Sequence, residues 1–392
     1  MTAPVRIAII AGETSGDVLG GALIRALRER LPDIEVRGVA GPQMRSAGCL
    51  PLADAHELAV MGLIDPLLQL PRLLKLRSKL VREISGWRPD AFIGIDAPGF
   101  NLTLAGKFKS QGIVSVQYVS PQIWAWRRGR VRKIARRCDL VLCLLPFEPA
   151  FYRSYAVRAE FVGHPLADQI PLEPDRAAAR RELGVAADVP LLALLPGSRV
   201  SEVRQLAGPF LKTAIAVARS RPALKIVVPM ANAAVRAHFM QVLAATPGAS
   251  ALPLQVLDGR ARAALIAADA ALSASGTATL EALLCRCPMV VAYRFGAFTA
   301  ALLRTLRLVQ VEYFSLPNLL AGEQLAPEFF QEAVTADNLA PAVERALGDQ
   351  VRRAWLDAKF LQVHESLRAG GASRAAEVIV QLLSERKRSL AR

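Results

Sequence analysis

Cysteine and histidine are scarce in this 392-residue sequence. The five cysteines (Cys49, Cys138, Cys143, Cys285 and Cys287) form no CxxC pair and leave one over, and none of the four histidines stands at metal-ligand spacing from another. That pattern argues against a zinc site and predicts reduced, mostly buried thiols in a cytoplasmic protein. No apolar run approaches the ~20 residues that a membrane span requires. Nor does the N-terminus show the basic, apolar, small-residue order of a signal peptide: Val5 to Ala11 reads as a first strand running into a glycine-rich turn. Any contact with a membrane is therefore expected at its surface.

What is present suffices for folded cores. Hydrophobic residues make up 53%, and 21% charged residues excludes a disordered chain. The length exceeds one ordinary core and predicts two α/β domains. Lys and Arg outnumber Asp and Glu by 49 to 34, a net charge of +15. That excess favours anionic partners without choosing among nucleic acid, phosphorylated metabolites and an acidic membrane.

Short β-branched runs alternate with helical stretches in both halves. The first half offers strands at Val5–Ala11, Ile34–Val39, Ala91–Ile95, Ile113–Val119 and Leu140–Leu144, with helices at Gly16–Leu31, Pro71–Ser85 and Asn101–Ser110. The pattern lapses between Gly163 and Pro190, a Pro- and Asp-punctuated connector. It resumes with strands at Leu191–Leu195, Ala223–Val228, Ala251–Val256, Ala270–Ser273 and Met289–Ala292, and is wholly helical from Asn338. The alternation implies two mostly parallel sheets with helices on both faces. Residues 1–165 form one domain, 190–350 the second, and 351–392 a set of C-terminal helices. The halves share architecture but no detectable sequence repeat.

Ligands of such sheets sit beyond the carboxyl ends of the strands, and the unusual residues are there. After the first strand comes Gly12-Glu13-Thr14-Ser15-Gly16-Asp17. With Gly12 and Gly16 four apart it is not the GxGxxG dinucleotide fingerprint. The polar density of Glu13, Ser15 and Asp17 favours a substrate loop over a purely structural turn. Asp96-Ala97-Pro98-Gly99 closes the strand Ala91–Ile95, placing a carboxylate for general-base work; the alternative is that Asp96 caps the following helix. In the second half, Pro196-Gly197-Ser198-Arg199 joins a strand to a helix, where backbone N–H groups, the Ser198 hydroxyl and the Arg199 guanidinium offer donors for a diphosphate. Ser275-Gly276-Thr277 begins a second such helix, and Glu281 offers an acid for ribose hydroxyls. Either turn alone is also an ordinary helix cap.

Two segments carry a different signal. Trp124-Ala125-Trp126-Arg127-Arg128 continues into Arg130, Arg132 and Lys133; such a segment stacks nucleic-acid bases, binds phosphorylated lipid head groups or forms a solvated helix face. In Pro71–Ser85, Leu73, Leu74, Leu76, Leu80, Val81 and Ile84 fall on one helical arc, and Arg72, Lys75, Lys79 and Arg82 on the other. An ordinary sheet-packing helix is one reading of this pattern; with Ile64, Leu67 and Leu68 upstream, the other is a helix with leucine in surplus. The surplus predicts an apolar patch with basic flanks that touches lipid.

Together these segments resemble the lipid-A-disaccharide synthases. The likeness rests on Ala11-Gly12-Glu13-Thr14-Ser15-Gly16-Asp17, Glu57-Leu58-Ala59-Val60-Met61-Gly62, Gly94-Ile95-Asp96-Ala97-Pro98, Tyr118-Val119-Ser120-Pro121 with Trp124-Ala125-Trp126-Arg127, Leu195-Pro196-Gly197-Ser198-Arg199, Ala274-Ser275-Gly276-Thr277 and Ser315-Leu316-Pro317-Asn318-Leu319-Leu320, in family order across nearly the whole chain. Gly99 departs from it, because the family favours an acidic residue there; Asp96 is left as the only carboxylate of its turn.

The resemblance implies the GT-B architecture, two Rossmann-like domains facing a cleft with the last helix crossing back onto the first. It implies UDP-2,3-diacylglucosamine as donor and 2,3-diacylglucosamine 1-phosphate as acceptor, joined with inversion into the β-1,6-linked disaccharide 1-phosphate. The setting is lipid A biosynthesis at the inner face of the cytoplasmic membrane, with an anionic membrane surface as partner, no cofactor or bound metal, no nucleic acid and a homodimer left open. By motif, Asp96 becomes the base for the acceptor 6-hydroxyl, with Glu13 next in line, and Arg199 and Asn318 essential site residues. Rival readings are another GT-B enzyme of UDP-N-acetylglucosamine, a transferase or a 2-epimerase, and a nucleic-acid-binding protein built on the Trp/Arg segment.

Overall fold

The computed structural model describes residues 4–59, 66–121, 131–295 and 312–390, without the side chains of 59, 66–69 and 390. The chain forms two compact units, Met1–Asp168 with Leu367–Arg392, and Gln169–Ser366.

The first unit is a seven-stranded parallel sheet of β1 (Val5–Ala11), β2 (Ile34–Ala40), β3 (Cys49–Asp54), β4 (Ala91–Ile95), β5 (Val114–Tyr118), β6 (Leu140–Cys143) and β7 (Ala159–Phe161), in the order β3-β2-β1-β4-β5-β6-β7. The strand order reverses between β1 and β4, where Ala11 pairs with Ile95. Because side chains alternate across a strand, β1 feeds two cores. Ile7, Ile9 and Ala11 pack with the helix Thr14–Arg30 and the C-terminal helix Gly371–Leu390. Ala8 and Ile10 pack with Leu76, Leu80 and Ile84 of the helix Pro66–Trp87 and with Phe100, Leu104 and Phe108 of Pro98–Lys109.

The second unit is a six-stranded sheet of β8 (Leu191–Leu195), β9 (Lys225–Met230), β10 (Leu254–Asp258), β11 (Ala270–Ala274), β12 (Met289–Tyr293) and β13 (Glu328–Phe330), in the order β10-β9-β8-β11-β12-β13. Its reversal lies between β8 and β11, where Leu195 pairs with Ser273. Leu192 and Leu194 pack beneath Val203, Leu206 and Phe210 of the helix Val200–Ser220.

All ten expected strands are present, and three more flank them at sheet edges: β3, β7 and β13. The last two are three residues long and β3 contains Pro51, which an edge strand tolerates; none shows the buried run or alternation that marks a strand in sequence. The helix expected from Pro71 begins at Pro66 and carries Pro71 inside it, since the leucines upstream continue the helical pattern and Pro66 supplies the first-turn proline. The expected connector holds two short helices, Pro165–Gln169 and Arg176–Glu182. Of the C-terminal helices, Gln350–Leu367 falls in the second unit and only Gly371–Leu390 in the first.

Candidate active-site loops

In the first unit the turns after β1 and β4 lie side by side at the reversal of strand order, the usual ligand position in an open α/β sheet. A Cβ on Gly12 would come within 3.1 Å of the Ala97 Cβ, so glycine lets the two turns touch. Glu13 and Ser15 are exposed on the first turn, and Gly16 is buried. Asp17 has another task. It is 2% exposed, and its carboxylate accepts the backbone N–H groups of Gly41 (2.9 Å), Gln43 (2.8 Å) and Met44 (3.0 Å). The acid expected in the substrate loop is thus turned inward to cap the short helix Pro42–Ser46.

Asp96 does not cap its helix. The N-cap of Pro98–Lys109 is Ala97, with no side-chain cap, and the half-buried Asp96 carboxylate makes no hydrogen bond or ion pair among the described residues. The backbone that displays it is unusual. Asp96 (φ +50°), Ala97 (+42°) and Val119 (+73°), at the ends of β4 and β5, are all left-handed without being glycine. Such residues cost on the order of 1–3 kcal/mol each, most for a β-branched one. Strain of this kind persists where surrounding contacts enforce it.

In the second unit, the two turns at the reversal between β8 and β11 differ from each other. Gly197 is left-handed (φ +135°), and a Cβ there would meet the Glu202 Cβ at 2.4 Å. Glu202, on the first turn of Val200–Ser220, accepts the backbone N–H groups of Ser198 (2.9 Å) and Arg199 (3.3 Å). The donors expected to meet a diphosphate are therefore already holding a carboxylate. Arg199 pairs with the same acid at 3.6 Å, yet its side chain is 77% exposed; such a pair is worth little and leaves the guanidinium able to reach an anion. The other turn is open. Gly276 and Thr277 are exposed, and the N–H groups of Gly276, Thr277 and Ala278 bond nothing among the described residues. The Ser275 hydroxyl donates to the Phe314 carbonyl at 3.1 Å, so its proton is not available to a phosphate. Glu281 is mostly buried and pairs with Arg262 at 3.4 Å.

Asn318 is fully buried. Its amide donates to the Ala326 carbonyl and Glu328, both at 2.8 Å, and accepts the N–H groups of Leu325 and Ala326, both at 2.8 Å. All four hydrogen-bonding positions of an asparagine are filled, so it shapes the segment 314–328 from within. Glu328 fixes the same segment from β13, accepting the N–H groups of Phe314 (3.0 Å) and Ser315 (2.9 Å). Glu202 and Glu328 were missed in the sequence. Glu202 had a legible signal, an acid three residues after an N-cap; Glu328 had none.

The five cysteines are reduced and buried. Burial pushes the Cys49, Cys138 and Cys287 thiols up to about 12 and raises Cys143 and Cys285 further, so none is a nucleophile at neutral pH.

The leucine-rich helix divides. Leu76, Leu80 and Ile84 are core and Leu73 is half-buried against it, whereas Leu70 (49%) and Leu74 (40%) stand exposed beside exposed Arg72 and Lys75. Lys79 donates to the Leu52 carbonyl at 2.8 Å and is tied to β3 rather than reaching outward. Ile64, Trp124 and Trp126, and the side chains of Leu67 and Leu68, lie outside the described residues. No helix among the described residues is long and apolar enough to cross a membrane.

Two doubly wound parallel sheets, each with its distinctive turns at the point of strand reversal, are those of the GT-B fold, the class to which many glycosyltransferases belong. Solved structures share it: a UDP-GlcNAc 2-epimerase from Neisseria meningitidis, bound to UDP-GlcNAc, matches with a TM-score of 0.61 at 12% identity over 97% of this chain and 100% of its own. A glycosyltransferase from Rickettsia africae matches at 0.58 and 11%, over 98% and 99%. Sequence narrows the class. The lipid-A-disaccharide synthetase family matches residues 7–382, and the lipid-A-disaccharide synthase of Sodalis glossinidius is 51% identical over 97% of this chain and 99% of its own. The chain belongs to the lipid-A-disaccharide synthase family.

Proposed function

We propose that the protein joins UDP-2,3-diacylglucosamine to the 6-hydroxyl of 2,3-diacylglucosamine 1-phosphate, inverting the anomeric centre and releasing UDP. The observation that carries this reading is the unpaired Asp96 carboxylate, raised on a strained turn beside the glycine-rich turn of β1. In an inverting transfer the acceptor hydroxyl attacks the anomeric carbon on the face opposite the diphosphate, and its proton must go to a base. Asp96 takes it; Glu13, exposed on the adjoining turn, is the second candidate. As the bond to the acceptor oxygen forms and the bond to the diphosphate breaks, one further negative charge develops on the departing UDP and must be held. The open amides at Gly276 and Thr277 receive the phosphates, Arg199 follows the charge as it develops, and Glu281 faces the ribose hydroxyls. No group of three or more potential metal ligands exists among the described residues.

The test is mass spectrometry of products from purified protein supplied with both acylated sugars in EDTA. A disaccharide 1-phosphate, absent when UDP-N-acetylglucosamine replaces the acylated donor, is expected. Product from a water-soluble sugar acceptor instead would move the protein toward the other GT-B enzymes.

We further propose that acylated substrates are drawn from the inner face of the cytoplasmic membrane, through a surface that includes Leu70, Leu74, Arg72 and Lys75. Exposed leucines one helical turn apart enter the acyl boundary while the basic flanks meet anionic head groups, at about 1 kcal/mol each. Replacing Leu70 and Leu74 by serine should weaken binding to anionic vesicles without lowering the Tm. A lower Tm with unchanged vesicle binding would return both leucines to packing.

A further inference from the structure

Two buried carboxamides converge on the strained turn that carries Asp96. Asn101, wholly buried in the helix Pro98–Lys109, directs its Nδ2 to the carbonyls of Asp96 (2.9 Å), Ile95 (3.1 Å) and Ile10 (3.4 Å). Gln117, 1% exposed on β5, directs its Nε2 to the carbonyls of Asp96 (3.1 Å), Tyr118 (3.3 Å) and Val119 (3.3 Å). Both amides therefore hold the same oxygen, the Asp96 carbonyl, and between them touch two of the three left-handed residues. The backbone N–H of Asp96 is fixed as well, donating to the Tyr118 carbonyl at 2.9 Å.

Room for this arrangement is built into β4. Gly94 pairs in register with Gln117, and a Cβ at Gly94 would fall 2.6 Å from the Asn101 Cβ. The arrangement is also costly, since the other amide atoms, Asn101 Oδ1 and Gln117 Oε1, are buried without a hydrogen-bond partner among the described residues. Buried polar groups are almost always paired. Two such orphans, on side chains whose donors share the carbonyl of one strained turn, are hard to attribute to core stability, which apolar residues of the same size would serve better.

We propose that Asn101 and Gln117 are positioning residues for the transfer reaction. By clamping the Asp96 carbonyl they hold residue 96 in the left-handed conformation, and that conformation aims its carboxylate at the acceptor hydroxyl. Neither residue touches substrate; both act through Asp96. The proposal rests on Asp96 being the base.

The test is a double-mutant cycle read in kcat and KM together with thermal melting. Gln117→Met preserves volume and removes the donor; Asn101→Ala removes the second donor without overfilling the notch at Gly94. Each should lower kcat by roughly 10- to 100-fold, the penalty of a misplaced catalytic group, with KM little changed. In an Asp96→Asn background the same substitutions should cost nothing further, because a residue acting through Asp96 has nothing left to position. Equal losses in both backgrounds, or unchanged kcat in a folded Gln117→Met protein, overturn the proposal. So does failure of both variants to fold, which makes the amides part of the core. Near wild-type turnover by Asp96→Asn alone overturns the base assignment, a separate observation that removes the premise.

Discussion

The Glu202 carboxylate accepts the backbone N–H of Ser198 at 2.9 Å, so the turn after β8 already holds an anion supplied by its own helix. A phosphate brought to this turn competes with Glu202 or displaces it. Glu202→Gln keeps an oxygen to accept the same N–H groups and removes the charge. Two like charges ~4 Å apart near a protein surface repel by up to about 4 kcal/mol, so UDP should bind at least ~10-fold more tightly, at a stability cost of about 1 kcal/mol for the lost helix-terminal charge. Calorimetric titration with UDP checks this. Unchanged affinity with a lower Tm would leave Glu202 as a cap alone.

Asp96 and Asp17 should respond in opposite ways. Asp96→Asn should lower kcat by about 10²–10⁴-fold, the typical loss of a general base, with an unaltered melting curve, because its carboxylate bonds nothing among the described residues. Asp17→Ala removes the acceptor of three N–H groups and should cost about 3 kcal/mol of stability. Paired melting and turnover assays separate them; equal loss of stability in both variants contradicts the assignment.

Asn318→Ala leaves two N–H groups and the Ala326 carbonyl without their partner in the interior. It should destabilise the second unit by about 2–4 kcal/mol, and activity should fall because the segment 314–328 loosens. Urea denaturation together with kinetics decides the matter. Inactivity at full stability would restore Asn318 to direct substrate contact.

His164 gives the protein an acid-side dependence. Burial lowers it from about 6.5 to about 4, and its Nδ1 accepts the Leu166 N–H at 3.2 Å, so the folded chain keeps it neutral. Between these values the unfolded chain binds a proton that the folded chain does not. The contribution is therefore full above about pH 6.5 and is lost as pH falls toward 4, up to about 3 kcal/mol. His164→Asn, which retains an acceptor for the Leu166 N–H, should flatten stability against pH in that window. An unchanged slope would assign the dependence to carboxylates.

The central strands and the chemistry-bearing turns were legible in sequence because each is a local pattern. An apolar run buried on both faces reads the same before and after folding, as in Ala91–Ile95 and Leu191–Leu195. A Gly-Ser-Arg or Asp-Ala-Pro turn after such a run declares a backbone that must bend next to a strand end. Periodicity also separated the leucines of Pro71–Ser85 from its basic residues, but it could not say that Leu76 is core and Leu74 exposed, since both lie on one arc.

The task of each polar side chain was decided only by tertiary structure. Asp17 reads as a loop acid, yet its partners are 24 to 27 residues away. Asn318 belongs to a motif expected at the site, but its bonds close inward upon Leu325, Ala326 and Glu328. Asn101 and Gln117 carry no signal at all, because their common partner is a backbone carbonyl that only the pairing of β4 with β5 brings between them. Where most of the strands lie and where the chain turns could be read from residues alone, for these depend on hydrophobicity and backbone freedom over a few positions. Which polar groups remain available for chemistry depends on what else lies within 3 Å, and folding alone settles that.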